Sequence, residues 1–72
     1  MKWRELLDYR VVWQGDTRYI VELERMGPLY KVMDSGRRGA YEAWSGRTTW
    51  HLTYNGARIK WLDRIVEAQR ID

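Results

Sequence analysis

The 72-residue chain predicts an α+β domain: a twisted antiparallel sheet of four to five strands in hairpins or a meander, with one C-terminal helix packed on one face. Three observations lead there. β-branched and aromatic residues alternate on both sides of Gly15-Asp16 in "YRVVWQGDTRYIVELER". A second alternating stretch surrounds Gly46-Arg47 in "AYEAWSGRTTWHLTY". The segment "NGARIKWLDRIVEAQRI" carries apolar residues at helical spacing and no proline.

Each element follows in order. "WRELL" reads as a short helical turn with Trp3, Leu6 and Leu7 on one side, a strand being the alternative. In the first hairpin, turn chemistry and side-chain pattern disagree. Gly15-Asp16 suits a two-residue loop. A three-residue loop, Gly15-Asp16-Thr17, instead sets Trp13 opposite Tyr19, Val11 opposite Val21 and Tyr9 opposite Leu23, with Arg10 and Glu22 on the other face. Because a slip of one residue reverses a whole face, the pattern favours the longer loop or an equivalent bulge. Pro28 ends the second strand. "LYKVMD" is the third strand, with Tyr30 and Val32 inward, and "SGRRG" is a loop.

Gly46-Arg47 is expected to form a two-residue turn. That register turns Tyr41 and Ala43 inward, and Trp44, Thr49 and His51 outward. The last helix starts at Asn55 or Gly56 and presents Ile59, Leu62, Ile65, Val66 and Gln69 to the sheet, with Trp61 at the border of this stripe. Trp50, Leu52, Ile59, Leu62 and Val66 are therefore the expected joint between sheet and helix.

The size allows one domain, residues 1–72, with a thin core. There is no cysteine, which excludes disulfides and thiolate metal sites within the chain. Five Trp and five Tyr, with no Phe, supply most of the large side chains, and ten rings exceed what so small an interior encloses. No apolar run reaches the ~20 residues of a membrane span. The charged start "MKWRELLDYR" is unlike a signal peptide, so the expected location is cytoplasmic.

Chemistry is sparse. His51 is the only histidine and has no nucleophile near it in sequence. No His, Asp or Glu set has zinc spacing. Glu22 and Glu24 alternate with apolar residues and read as the solvated side of a strand, and "SGRRG" does not fit a phosphate loop. The chain is expected not to be an enzyme and to need no cofactor or metal.

Charge is more informative. The net charge of +3 is concentrated from Lys31 to Lys60, where six bases face only Asp34 and Glu42. Within that stretch, Arg37, Arg38, Trp44 and Arg47 are the candidate partner-binding residues. Arginine beside an exposed ring suits a protein hot spot, and it also suits single-stranded nucleic acid.

Two resemblances bear on this. "TTWHLTYNGARIKWLDRIVEAQR" resembles the strand-to-helix ending of double-stranded-RNA-binding domains. Where that family opens its last helix with Lys-Lys-x-Ala-Lys, this chain reads "ARIKW", and the family's long first helix is missing, so no residue is carried over. The size, the absence of cysteine, the aromatic meander and the terminal "RIKWLDRIVEAQR" helix together resemble small accessory proteins of phages and mobile elements, including anti-CRISPR inhibitors. That resemblance implies a non-catalytic protein that occludes a host protein or nucleoprotein complex, and it implies no site residues. The alternatives are direct nucleic-acid binding through residues 31–60 and a structural, self-associating subunit, for instance a homodimer. No membrane partner is expected.

Overall fold

A computed structural model describes residues 3–40 and 42–70. Four strands run in chain order, β1 (Arg4–Gln14), β2 (Thr17–Met26), β3 (Leu29–Arg38) and β4 (Glu42–His51), followed by helix α1 (Tyr54–Arg70). The strands form one antiparallel sheet in the order β1-β2-β3-β4, and α1 lies across one face of it. The predicted α+β class, antiparallel meander and C-terminal helix are all present. "WRELL" does not form a helical turn, because β1 already begins at Arg4.

The first hairpin closes through the two-residue turn Gly15-Asp16, pairing Gln14 with Thr17 and Trp13 with Arg18. The expected three-residue register is thus overturned. Gly15 takes a φ of 62°, as the first central residue of a type II′ turn does. Val12 now stands opposite Tyr19 and Arg10 opposite Val21. A register shift between Leu6 and Asp8 leaves Leu7 as the extra residue. Register is strongly imposed only where a face is buried. β1 is an edge strand, and its helix-side residues Asp8 and Arg10 are exposed, so turn chemistry outweighed the pattern.

"SGRRG" continues β3 as far as Arg38, and the chain reverses near Gly39-Ala40. Gly46-Arg47 forms no turn. It is a bulge inside β4, where two residues stand in the register between Met33↔Thr48 and Ser35↔Ser45. Gly46 is needed there for space: a Cβ at this position would collide with the backbone and side chain of Asp34. The facing expected of β4 is reversed along its whole length: Thr49 and His51, expected outward, stand opposite Val32 and Tyr30 on the helix side, and Trp50 stands opposite Lys31 on the other. Trp44 stands opposite Gly36 on the helix side, and Ala43 stands opposite Arg37 on the other. Tyr41 lies outside the described residues.

Thr53 caps α1, its Oγ1 accepting the Gly56 amide at 3.1 Å, so the helix begins at Tyr54, just ahead of the expected Asn55 or Gly56. At the other end, the Gln14 side-chain amide donates to the carbonyls of Ala68 and Gln69, at 3.3 and 2.8 Å, satisfying acceptors that a helix end leaves open.

The core comprises Val12, Val21, Leu23, Val32, Ala57, Trp61, Ile65 and Ala68, with Tyr19 and Tyr30 packed against it. The expected sheet-to-helix joint is wrong apart from its helical periodicity. Trp50, Leu52, Ile59, Leu62 and Val66 are all exposed, Leu52 the most at 82%. The buried stripe is Ala57, Trp61, Arg64, Ile65 and Ala68, at i, i+4, i+7, i+8 and i+11. Two alanines admit the helix close to the sheet, and Trp61 fills the space between them. Its indole N–H donates to the Val21 carbonyl at 2.9 Å, so the ring is buried with its polar handle satisfied.

Candidate interaction surface

Alternation along the strands assigns side chains to two faces. The helix side carries Val12, Tyr19, Val21, Leu23, Tyr30 and Val32. The opposite side carries successive cross-strand rows. Trp13, Arg18, Arg37 and Ala43 form the first, and Val11 and Ile20 stand beside Ser35 in the next. Tyr9, Glu22, Met33 and Thr48 follow, then Leu6, Glu24, Lys31 and Trp50. No element covers these rows among the described residues. Trp13 is 63% exposed, Tyr9 58% and Trp50 53%, with Leu6 and Val11 also exposed. Ten-residue strands at ~3.3 Å per residue, four abreast at ~4.8 Å, present on the order of 600 Å². That is close to the ~800 Å² one partner contributes to a standard protein interface.

This face has its own electrostatics. Glu24 is only 2% exposed, roofed by Arg4 and Lys31. Arg4 Nε donates to its Oε2 at 2.5 Å, and Lys31 Nζ lies 3.8 Å from Oε1. The Arg4 hydrogen bond, aided by the charge of Lys31 and opposed by burial, holds the Glu24 carboxyl below its usual pKa. Lys31 also sits over the Trp50 ring, 6.0 Å from its centroid. Glu22 adds a second carboxylate near the middle of the face.

The four residues expected to form one binding centre do not converge. Arg37 alone reaches the open face, opposite Arg18. Arg38 points to the helix side of the sheet, where its Nε lies 3.7 Å from Asp16. Trp44 lies across Gly36 and meets Tyr19 edge-on with centroids 6.2 Å apart; it is 42% exposed. The prediction that Trp44 faces away from the core is overturned. A Cβ on Gly36 would fall inside the indole, so the missing side chain makes the ring's seat. Arg47 donates to Glu67 of α1 at 2.7 Å, and Arg64, 6% exposed, donates to the same oxygen at 3.1 Å. The Arg64 hydrogen bond leads in lowering the Glu67 pKa, with Arg47 contributing. Arg47 therefore ties β4 to the helix.

Sequence reasoning missed Tyr9, Val11, Trp13, Arg18 and Trp50 as a surface. The signal was present: a two-residue turn at Gly15-Asp16 places Trp13 beside Arg18 on the face opposite Val12 and Val21. His51 bonds Thr49 at 2.9 Å, and no group of three or more metal-ligating side chains occurs among the described residues. No helix among them is long and apolar enough to cross a membrane. No family model matches the chain, and no match to it is found among curated proteins or solved structures.

Proposed function

We propose that this protein is a non-catalytic binding module that engages another protein, or the protein part of a nucleoprotein complex, through the helix-free face of its sheet. Its action is occlusion: a rigid sheet held flat against a partner denies that surface to others. The observation that carries the reading is the uncovered apolar face, with Tyr9, Trp13 and Trp50 exposed around Val11, Ile20 and Met33. Trp, Tyr and Arg are the residues that dominate protein hot spots. Aliphatic side chains between the rings suit a protein's apolar surface better than nucleobases. Glu22, near the middle, repels a phosphate backbone laid along the face.

The test is affinity capture from cells expressing the protein, with and without nuclease, using wild type, the double variant Trp13→Ala/Trp50→Ala and the helix-surface variant Ile59→Ala. The expected result is one partner retained after nuclease by wild type and Ile59→Ala, and lost by the double variant at an unchanged melting temperature. Retention by the double variant rejects the surface. Loss after nuclease replaces this reading with direct nucleic-acid binding.

A further inference from the structure

One corner of the open face has a different chemistry from the rest. Arg18 and Arg37 are direct cross-strand partners between β2 and β3. Like charges placed directly opposite destabilise a sheet unless something neutralises them. Arg4, Arg25, Arg38, Arg47 and Arg64 each have a carboxylate within 4.0 Å; Arg18 and Arg37, like Arg10, Arg58 and Arg70, have none among the described residues. Asp16, on the rim of the adjoining hollow, is drawn instead to Arg38. The Arg18 Nε is sealed from solvent and meets no hydrogen-bond acceptor. A buried guanidinium N–H without an acceptor is costly, and Arg18 and Arg37 both line one concavity.

That concavity is about 360 Å³. Arg18, Arg37 and Ser35 line it with polar side chains, and Ile20, Gly36, Ala43 and Trp44 supply apolar walls. We infer that it is a phosphate site, taking a phosphate monoester or inorganic phosphate as a dianion. Two guanidinium charges call for two negative charges in one small ligand. A phosphate brings about −1.5 to −2 near neutral pH and at least three acceptor oxygens, whereas a carboxylate brings −1 and two. The planar forks of both arginines match phosphate geometry, and the Ser35 hydroxyl adds a further donor. The site occupies the Trp13 end of the face, away from Glu22 and Glu24. It stands independently of the protein-partner reading, because phosphate binding is measured on the isolated chain.

The experiment follows the arginine Nε–H resonances of the full-length protein by NMR. Inorganic phosphate, methyl phosphate, dimethyl phosphate and acetate are titrated at constant ionic strength against chloride. The expected result is a saturable shift of the Arg18 Nε–H with phosphate and methyl phosphate. Binding should weaken about tenfold or more in Arg37→Gln and stay unchanged in Arg25→Gln. Dimethyl phosphate, a monoanion, should bind more weakly than the dianions; equal binding would keep the phosphate site and make a nucleic-acid phosphodiester its source. Acetate binding as tight as phosphate would overturn the assignment, since the hollow would then select only charge. No saturable Arg18 shift with any phosphate would also overturn it. If Arg37→Gln fails to fold, the wild-type shift and its anion selectivity decide the matter alone.

Discussion

The two faces of this sheet are built from the same strands and the same residue types, yet they do opposite work. On the helix side, Val21, Leu23 and Val32 are at most 1% exposed, and Trp61 is sealed with its N–H bonded to a strand carbonyl. On the other side, Trp13 and Trp50 are more than half exposed. An indole is large and apolar in both places. What differs is whether the ring lies between helix and sheet, as Trp61 of α1 does, or on a sheet face that no second layer covers among the described residues. The comparison teaches that aromatic content in a small domain marks neither core nor interface by itself. Coverage by the next layer decides, and one 17-residue helix covers one face of four strands.

The largest effect expected from breaking this contrast is at Trp61. Trp61→Ala removes a buried ring and leaves the Val21 carbonyl without that donor, so it should cost ~3–5 kcal/mol and abolish cooperative unfolding in so small a domain. Circular dichroism during urea titration checks this; a stable, cooperative variant would show that the helix is not held by its indole.

Next is Gly36→Ala, which drives a methyl group into the seat of Trp44. Overpacking of this kind costs ~1–3 kcal/mol. The double variant with Trp44→Ala should lose less than the two single variants summed, a coupling that thermal denaturation of all four proteins measures. Additive losses would mean that Trp44 does not rest on Gly36.

A smaller effect sharpens the electrostatics of the open face. Glu24 has a pKa lowered by the Arg4 hydrogen bond and by the charge of Lys31. A carboxyl whose folded-state pKa lies below its unfolded value contributes stability that is fully present above the unfolded pKa. That contribution is lost as pH falls through the folded value. Glu24→Gln should therefore flatten the decline in stability on acidification below the unfolded carboxyl pKa, as read from urea midpoints at stepped pH. An acid limb identical to wild type would remove Glu24 from this role.

The smallest effect on folding is expected where the effect on binding is greatest. Trp13→Ala should change stability by no more than ~0.5 kcal/mol, as solvent-exposed substitutions do, while the interface loses an anchor. A melting temperature lowered as far as by Gly36→Ala would place Trp13 in the fold and not on the partner surface.

The architecture was legible because its signals are local. Alternation marks strands, and the turn at Gly15-Asp16 and the proline-free period of α1 mark a hairpin and a helix. Facing was legible only where burial enforces it: Tyr30 and Val32 were correctly placed inward, near the middle of the sheet. It was misread on β1, an edge strand where turn geometry prevailed, and on β4, where a bulge at Gly46-Arg47 imitates a hairpin turn in sequence. The candidate site suffered most, because a residue's face depends on every irregularity before it in the strand. Arg37, Arg38, Trp44 and Arg47 are neighbours in the chain, but the pleat and the bulge send them to different surroundings.

By itself, then, the sequence determined a small α+β architecture, its meander of strands, its terminal helix and its excess of rings over interior volume. Tertiary structure decided which rings are interior. Ile59-Leu62-Val66 and Ala57-Trp61-Ile65 both satisfy the helical period, and the more aliphatic stripe is the one left outside. The physical reason is closeness of approach. Alanines let the helix backbone settle against the sheet so that one indole fills the gap and reaches a strand carbonyl. Hydrophobicity along a single chain carries no measure of the distance at which two elements will pack.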